Sequence, residues 1–522
     1  MIKKLILIFK ISYKLAKSGI IEIVEEYHQL PTPIKWFFKI LNFNQNNSLK
    51  NVNLSAGEKI SIALQEMGTT FIKLGQFLAT RPDIIGANLA DELEKLQDKL
   101  PPFSMYEAKE ILKKEIGIEN FNKIKDITEP VAAASIAQVH FAKVLNVEGD
   151  TKEVAIKILR PGIEKKFNEE LEALMLLANI AELFLPKTRR LRLIETVYLL
   201  REITSVEMDL RFEAAAANEL LENTKNDNNF IVPNIYWDFT SQRVLTLDRI
   251  VGSSIRDTAF IETNAIDKKK LAADVIQSFL KQAVRDGFFH GDMHQGNLFI
   301  DKTGNLIPVD FGIMGRIDEN NRRYLAEILY GFIQRDYKKV AEVHLEAGLI
   351  PKETSIDEFS QALRSIGEPI FGQKIKDISG GNLLAQLFKV TEKFNMHTQT
   401  QLLILQKTMV VVEGVARKIY PETNIWEVSK PILEDWLKNY KSPKTNINRA
   451  IRLSKELLEK IPDLPSFLDR ANYALKMIAE GKINLNTGNH TQLELEKQKF
   501  KMFRNNFIIL VLGSIILINL IF

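Results

Sequence analysis

Two short β-rich runs, SIAQVHFAKVL (135–145) and EVAIKIL (153–159), stand in the middle of a chain that is otherwise helical in texture. The connection NVEGDTK puts Gly149 and Asp150 between them, which is the turn chemistry of a hairpin. Helical periodicity governs 55–125, broken at DKLPPF (98–103), and a long helical stretch covers 164–224. A further strand, RVLTLDRI (243–250), leads into a helix from Asp267 to Arg285, with apolar residues at 271, 275, 276, 279 and 283. Asp286-Gly287 ends that helix, because glycine accepts the left-handed conformation past the last turn. After 320 the chain is helical again. Helices grouped around a small hairpin make a two-lobed α+β fold.

The chain has 522 residues, room for two or three domains. Its formal charge of +4 is small for that size. No stripe of basic and aromatic residues runs through it, so no nucleic-acid partner is expected. It contains no cysteine, which excludes thiolate catalysis, Cys-zinc sites and disulfides.

The densest chemistry lies in FFHGDMHQGNLFI (288–300). LFI (298–300) and LIPV (306–309) read as strands joined by the turn DKTGN, with Asn297 before the first and Asp310 after the second. Such a hairpin brings an amide and a carboxylate oxygen to one end. Those donors suit Mg2+, which takes its remaining ligands from water and phosphate. Asp292 precedes Asn297 by the spacing at which a kinase catalytic loop offers a base and a metal-binding amide. DFG is present as Asp310-Phe311-Gly312. The competing reading is zinc on His290 and His294. It requires one helix face, which Gly291 and Gly296 interrupt, so bracing of the loop is the expected role of both histidines.

Upstream, VAIK (154–157) reads as the strand that carries a phosphate-pairing lysine, Lys157. That lysine needs a carboxylate, and within EMDLRFEAAAANEL (207–220) Glu213 is the chosen partner. Where a kinase has G-x-G-x-x-G-x-V, this chain has AAASIAQV: Ala132, Ala133, Ala134, Ser135, Ile136, Ala137, Gln138 and Val139. Alanine resists positive φ, so a stiffer ATP-binding loop is expected. DENNRRYLAEIL follows Gly312 closely and reads as an N-capped helix, leaving no room for a long activation segment.

Taken together, AAASIAQVH, VAIKILRPG, EMDLRFEA, HGDMHQGN, VDFG and KLGQ (73–76) resemble the signature set of the UbiB family of atypical kinases, also called the ADCK family. The six motifs stand in family order over about 70–315. The resemblance implies a protein-kinase-like fold with K-x-G-Q helices laid across the active site. Lys73 and Gln76 would face the nucleotide, and Glu207 and Asp209 would be the E-x-D pair securing that extension. Many relatives carry Asn three residues after the glutamate matching Glu213; here Ala216 stands there, so no ligand is assigned to it. The implied cofactors are ATP and Mg2+. The implied activity is that of an atypical kinase or ATPase supporting ubiquinone biosynthesis, with the enzymes of that pathway and isoprenoid quinone precursors as partners. Homodimerisation is left open.

On this reading the chain divides into a basic amphipathic helix region (1–45), a K-x-G-Q extension (46–127) and an N-lobe with inserted E-x-D helices (128–250). The C-lobe (251–440), a helical connector (441–502) and a membrane-anchoring segment (503–522) follow. FIILVLGSIILINLIF (507–522) is apolar apart from Ser514 and Asn519. As a helix it reaches about 24 Å against a hydrocarbon core of roughly 30 Å. Membrane lipid is therefore an expected partner, and the alternative is a buried core helix. Lys497, Lys499, Lys501 and Arg504 precede the run and favour the cytoplasmic face of a bacterial inner membrane. At the other end, Lys3, Lys10, Lys14 and Lys17 share one helix face, which either lies on an anionic membrane or docks on the chain's own domain. Three other functions compete. A kinase for a protein or small molecule lacks an explanation for K-x-G-Q. A flavin-dependent polyprenylphenol hydroxylase lacks a G-x-G-x-x-G in a βαβ unit. A dead scaffold would not need Lys157, Asp292, Asn297 and Asp310.

Overall fold

The computed structural model describes residues 55–79, 85–93, 100–145, 150–184, 192–372 and 400–440, with 7, 11, 13, 96, 390 and 393–396 singly. The apolar tail 507–522, the connector 441–502 and Gly149 of the hairpin turn lie outside them. The chain divides into two units, 1–438 and 439–522, and the elements below build the first. Among the described residues no helix is long and apolar enough to cross a membrane.

The extension starts at Ser55. Its hydroxyl accepts from the Glu58 N–H at 3.1 Å, and its own N–H donates to the Glu58 carboxylate at 2.8 Å, a capping box that starts helix α1 (Ala56–Met67). Gly68, at φ 104°, turns the chain directly into α2 (Thr69–Ala79), and α3 (Ala87–Leu93) folds back on both. Leu64, Met67, Phe71, Leu93 and Leu96 form their common core. Ile11 is 3% exposed within the same cluster. The motif glycine Gly75 has a packing reason. A Cβ on it would stand 2.4 Å from Leu96 and 2.8 Å from Leu64, closer than carbon atoms approach.

α4 (Met105–Lys123) repeats the capping box with Ser104 and Glu107 and kinks at Gly117. It lies on one face of an antiparallel sheet made of β1 (Ile124–Lys125), β2 (Ala132–Ala133), β3 (Ala137–Leu145), β4 (Thr151–Leu159) and β5 (Val244–Asp248). The order is β1-β3-β4-β5, with β2 on β3. Val154, Ile156 and Ile158 point toward α4, while Ala137, Leu159 and Leu245 point to the other face. That second face is covered by α5 (Ile163–Phe184), α6 (Leu193–Glu207) and α7 (Leu210–Thr224). The stretch 164–224, read from sequence as one helical run, is thus three helices, with Met208 and Asp209 as the corner between the last two.

The second lobe begins with β6 (Ser253–Ser254) and the short α8 (Thr258–Thr263), then α9 (Lys268–Leu280), which Asp267 caps. The chain continues as a π turn, Lys281–Asp286, before Gly287 ends it at φ 70°. Strands β7 (Phe288–His290), β8 (Leu298–Ile300), β9 (Leu306–Pro308) and β10 (Met314–Arg316) follow: β8 pairs with β9 and β6, and β7 with β10. α10 (Glu319–Ile333) starts at the Asp318 cap. α11 (Tyr337–Glu346) and α12 (Ile356–Gly372) carry a satellite core around Tyr337, Phe359 and Phe394. α13 (Thr400–Ile419) and α14 (Ile425–Tyr440) close the lobe against α9 through Val412, Val415 and Leu433.

Gly75→Val is expected to cost about 1–3 kcal/mol by overpacking the extension core. A lowered unfolding temperature in calorimetry checks this; an unchanged one would mean that Leu64 and Leu96 yield freely.

Candidate functional site

Strand register decides which residues face the cleft. Val139 and Lys157 are direct cross-strand partners, so they share one face of the sheet. Lys157 extends its ammonium from there to both carboxylate oxygens of Glu213, at 2.8 and 2.9 Å, and to Asp310 Oδ1 at 3.3 Å. α7 supplies Glu213, which is 9% exposed, and the stretch after β9 supplies Asp310, so one lysine joins the two lobes. Burial works against the lysine's charge, yet Asp310 and Glu213 outweigh it and hold the ammonium above its usual range. Lys157 in turn depresses Asp310 to about 2, against burial and with help from Lys73. Burial pushes Glu213 upward, opposed by Lys157. Asp310 also sits at φ 61°, a left-handed conformation that a non-glycine residue holds only where its surroundings impose it.

The loop 290–297 is fixed from several sides. His290 is fully buried; its Nδ1 accepts the Asp292 N–H at 3.1 Å, which leaves Nε2–H to donate to the Val309 carbonyl at 3.2 Å. Both ring nitrogens are used, so His290 is a brace and has no lone pair for zinc. His294 likewise accepts the Gly296 N–H at 2.9 Å and lies 3.5 Å from the Asp292 carboxylate. Among the described residues no group of three or more His, Asp or Glu side chains is gathered for a metal. Asn297 donates its amide N–H to the Asp292 carbonyl at 3.1 Å and carboxylate at 3.2 Å. Both partners are acceptors, so the amide orientation is set and its oxygen remains available. The Val309 N–H donates to the Asn297 carbonyl at 2.9 Å, and so the hairpin brings Asn297 and Asp310 to one end.

The alanine run forms a tight hairpin. Ala132 pairs with Val139 and Ala133 with Gln138, and the Ala134 N–H donates to the Ala137 carbonyl at 2.8 Å, leaving Ser135 and Ile136 as the turn. No residue in 132–139 has positive φ, so no glycine is needed. Gln138 departs from the expectation of a nucleotide contact. It lies on the opposite face of β3 from Val139, fully buried, where its amide holds Phe103 by accepting its N–H at 2.9 Å and donating to its carbonyl at 3.3 Å.

Lys73 of the extension pairs with Glu207 at 2.8 Å, both largely buried. Gln76 is half-buried on the same helix. Asp209 does not share Glu207's task. It caps α7 by accepting the Arg211 N–H at 3.1 Å, and it takes the Arg211 guanidinium at 2.9 and 2.7 Å. Sequence reasoning passed over three supports. Arg160 donates to the Ala134 carbonyl at 2.8 and 3.0 Å. Gln282, on the π turn, accepts the His290 N–H at 3.0 Å. Thr408 of α13 donates to the Gly291 carbonyl at 2.8 Å. Arg160 belongs to the quoted VAIKILRPG; the other two have no sequence signal beyond being polar at helical core positions.

The sequence matches the ABC1 atypical kinase-like domain over residues 95–344 and the UbiB helical domain over 363–424. It is 36% identical over 500 residues to "Probable protein kinase UbiB" of Marinobacter nauticus, covering 94% of this chain and 89% of that one. This chain belongs to the UbiB family. Proteins of the same name from Vibrio cholerae (36% identical, 86% and 82% covered) and Pseudomonas fluorescens (38%, 80% and 77%) match over somewhat less of the chain. Among solved structures, a Mycobacterium tuberculosis protein in complex with erythromycin overlaps 69% of this chain and 94% of its own, at 22% identity and a TM-score of 0.41. The match to the ABC1 atypical kinase-like domain makes the fold kinase-like, and UbiB membership implies a role in ubiquinone biosynthesis.

Burial holds His140, His290 and His344 below the ordinary histidine value of 6.5. Each is neutral in the fold and takes up its proton more readily when unfolded, so its contribution is complete above pH 6.5 and declines as pH falls below it. Unfolding temperature should drop steadily from pH 6.5 to 5. A flat profile across that window would show that these rings charge without disturbing the fold.

Proposed function

We propose that this UbiB-family chain binds Mg-ATP between its lobes and hydrolyses it, at the cytoplasmic face of the bacterial inner membrane, in support of ubiquinone biosynthesis. The observation that carries the reading is the contact of Lys157 with Glu213 and Asp310. A lysine held by a helix carboxylate at the sheet, and next to a second carboxylate from the other lobe, has the placement that phosphoryl transfer requires. The donor set fits magnesium: Asn297 offers an amide oxygen, Asp310 an ionised carboxylate, and phosphate and water supply the rest. Bound there, magnesium would neutralise phosphate charge.

The chain's own residues do the remainder. Lys157 orients the phosphates, and Glu213 keeps it in place. Val139 and the backbone of Ala132–Ala137 border the nucleotide from above, without the flexibility of a glycine loop. Asp292, fixed by Asn297 and the His290 ring, positions a water or small polar acceptor. Lys73, whose charge acts on Asp310, places the extension beside the metal carboxylate and restricts entry of a large acceptor. The apolar run 507–522 supports attachment to the membrane.

Asp310→Asn removes an anionic oxygen at the metal, so magnesium-dependent ATP affinity should fall at least tenfold and turnover should vanish. Calorimetric titration with and without magnesium checks this, and an undiminished magnesium effect would remove Asp310 from the site. Deleting 507–522 should transfer the protein to the soluble fraction with nucleotide affinity intact. Retention on membranes would assign attachment elsewhere, and loss of folding would identify the run as core.

A further inference from the structure

A separate cleft of about 370 Å³ opens beside the loop 290–297, between that loop and α13. Its floor is apolar, from Val411 and Val415, and its rim carries Arg256, Lys418 and His294. Two glycines shape it. At Gly296 a Cβ would stand 2.6 Å from the His294 ring and 2.7 Å from the Arg256 guanidinium, so both side chains lie close against the loop there. Gly414 lies inside helix α13, where glycine is less favourable than alanine. No heavy atom stands within 4 Å of where its Cβ would be, so packing does not require the glycine. What the missing side chain leaves is open space in the cleft wall.

The charges agree with this. Arg256 and Lys418 come from different elements, both are exposed, and neither has a carboxylate partner among the described residues. An apolar floor with two exposed cations at its rim, without carboxylate partners among the described residues, matches an anion attached to a small apolar body. The cleft also touches the catalytic loop: His294 reaches from its rim to 3.5 Å from Asp292, and α13 is tied to Gly291 through Thr408.

We propose that this cleft binds a small organic anion with an apolar, ring-sized body and holds it on the acceptor side of the loop carrying Asp292. Its relation to Asp292 rests on the functional reading above; the binding itself does not.

The test uses the full-length protein and three probes in calorimetric titrations: naphthalene-2-sulfonate, the uncharged naphthalene-2-sulfonamide, and inorganic sulfate. The sulfonate should bind at least tenfold more tightly than either of the others. Arg256→Gln with Lys418→Gln should erase that preference for the sulfonate. Gly414→Leu fills the cleft from an open helix position and should abolish binding of both aromatic probes. Mg-ATP affinity, measured alongside, should be unchanged in every variant. Equal sulfonate affinity in wild type and the double variant overturns the proposal, and so does sulfate binding as tightly as the sulfonate. If Gly414→Leu does not fold, the double variant at exposed positions still decides. Sulfonate binding that follows this pattern in a protein without Mg-ATP affinity would keep the cleft and remove the functional reading instead.

Discussion

The contact on which the two lobes depend is a lysine with two carboxylates. Lys157 stands on the central strand β4, and its ammonium meets Glu213 from a helix and Asp310 from the opposite lobe. Withdrawing these charges from water is costly, and a buried pair is weak evidence of a stabilising one. The arrangement tolerates the cost because each charge has an opposite neighbour at hydrogen-bond distance. Lys73, which acts on Asp310 as well, is itself held by Glu207. On the proposed reading, phosphates and magnesium enter such a cluster by exchanging partners with it. Lys157 turns to phosphate and Asp310 to the metal, while Glu213, with no exposed side to turn to, keeps hold of the lysine.

Much of this was legible because it is local. The hairpin 298–309 follows from a turn composition between two apolar runs, and that alone places Asn297 and Asp310 at one end. The N-caps at Asp267 and Asp318 and the left-handed Gly287 are equally local. What escaped were features set by packing at long range. The apolar spacing through 283 continues smoothly over the π turn, so nothing in the pattern announces it. The burial of Ile11 depends on a surface formed by α1, α2, α3 and α5, and the N-terminal pattern leaves docking there and lying on a membrane equally open.

Gln138 shows how a motif can include too much. A signature is contiguous in sequence, but a strand alternates, and only every second residue of AAASIAQV reaches one face. Val139 shares Lys157's face; Gln138 shares that of Ala142 and Val144, under α4. There it joins Phe103 to His140, whose other nitrogen lies 2.8 Å from the Thr128 carbonyl. Its place in the signature therefore has a structural cause. It fastens the segment that enters α4 to the strand carrying Val139, and the stiffness of the alanine hairpin depends on that support as well as on Arg160.

The E-x-D element resolves in the same way into unlike parts. Glu207 is the last residue of α6 and holds Lys73, while Glu213 lies in the first turn of α7 and holds Lys157. Between them Asp209 caps α7 and clamps Arg211, which fixes the angle at the corner. A cap of this kind contributes roughly 0.5–2 kcal/mol, small beside the whole fold but concentrated on one bend. The consequence is geometric. Two ion pairs, one to the extension and one to the sheet, are anchored on a single corner whose only joint is Met208–Asp209. Neither carboxylate can shift far without carrying the other, so the extension and Lys157 are positioned by one element. That is why the acidic residues of this motif stand so close in sequence while their partners, Lys73 and Lys157, lie on opposite sides of α4 in the chain.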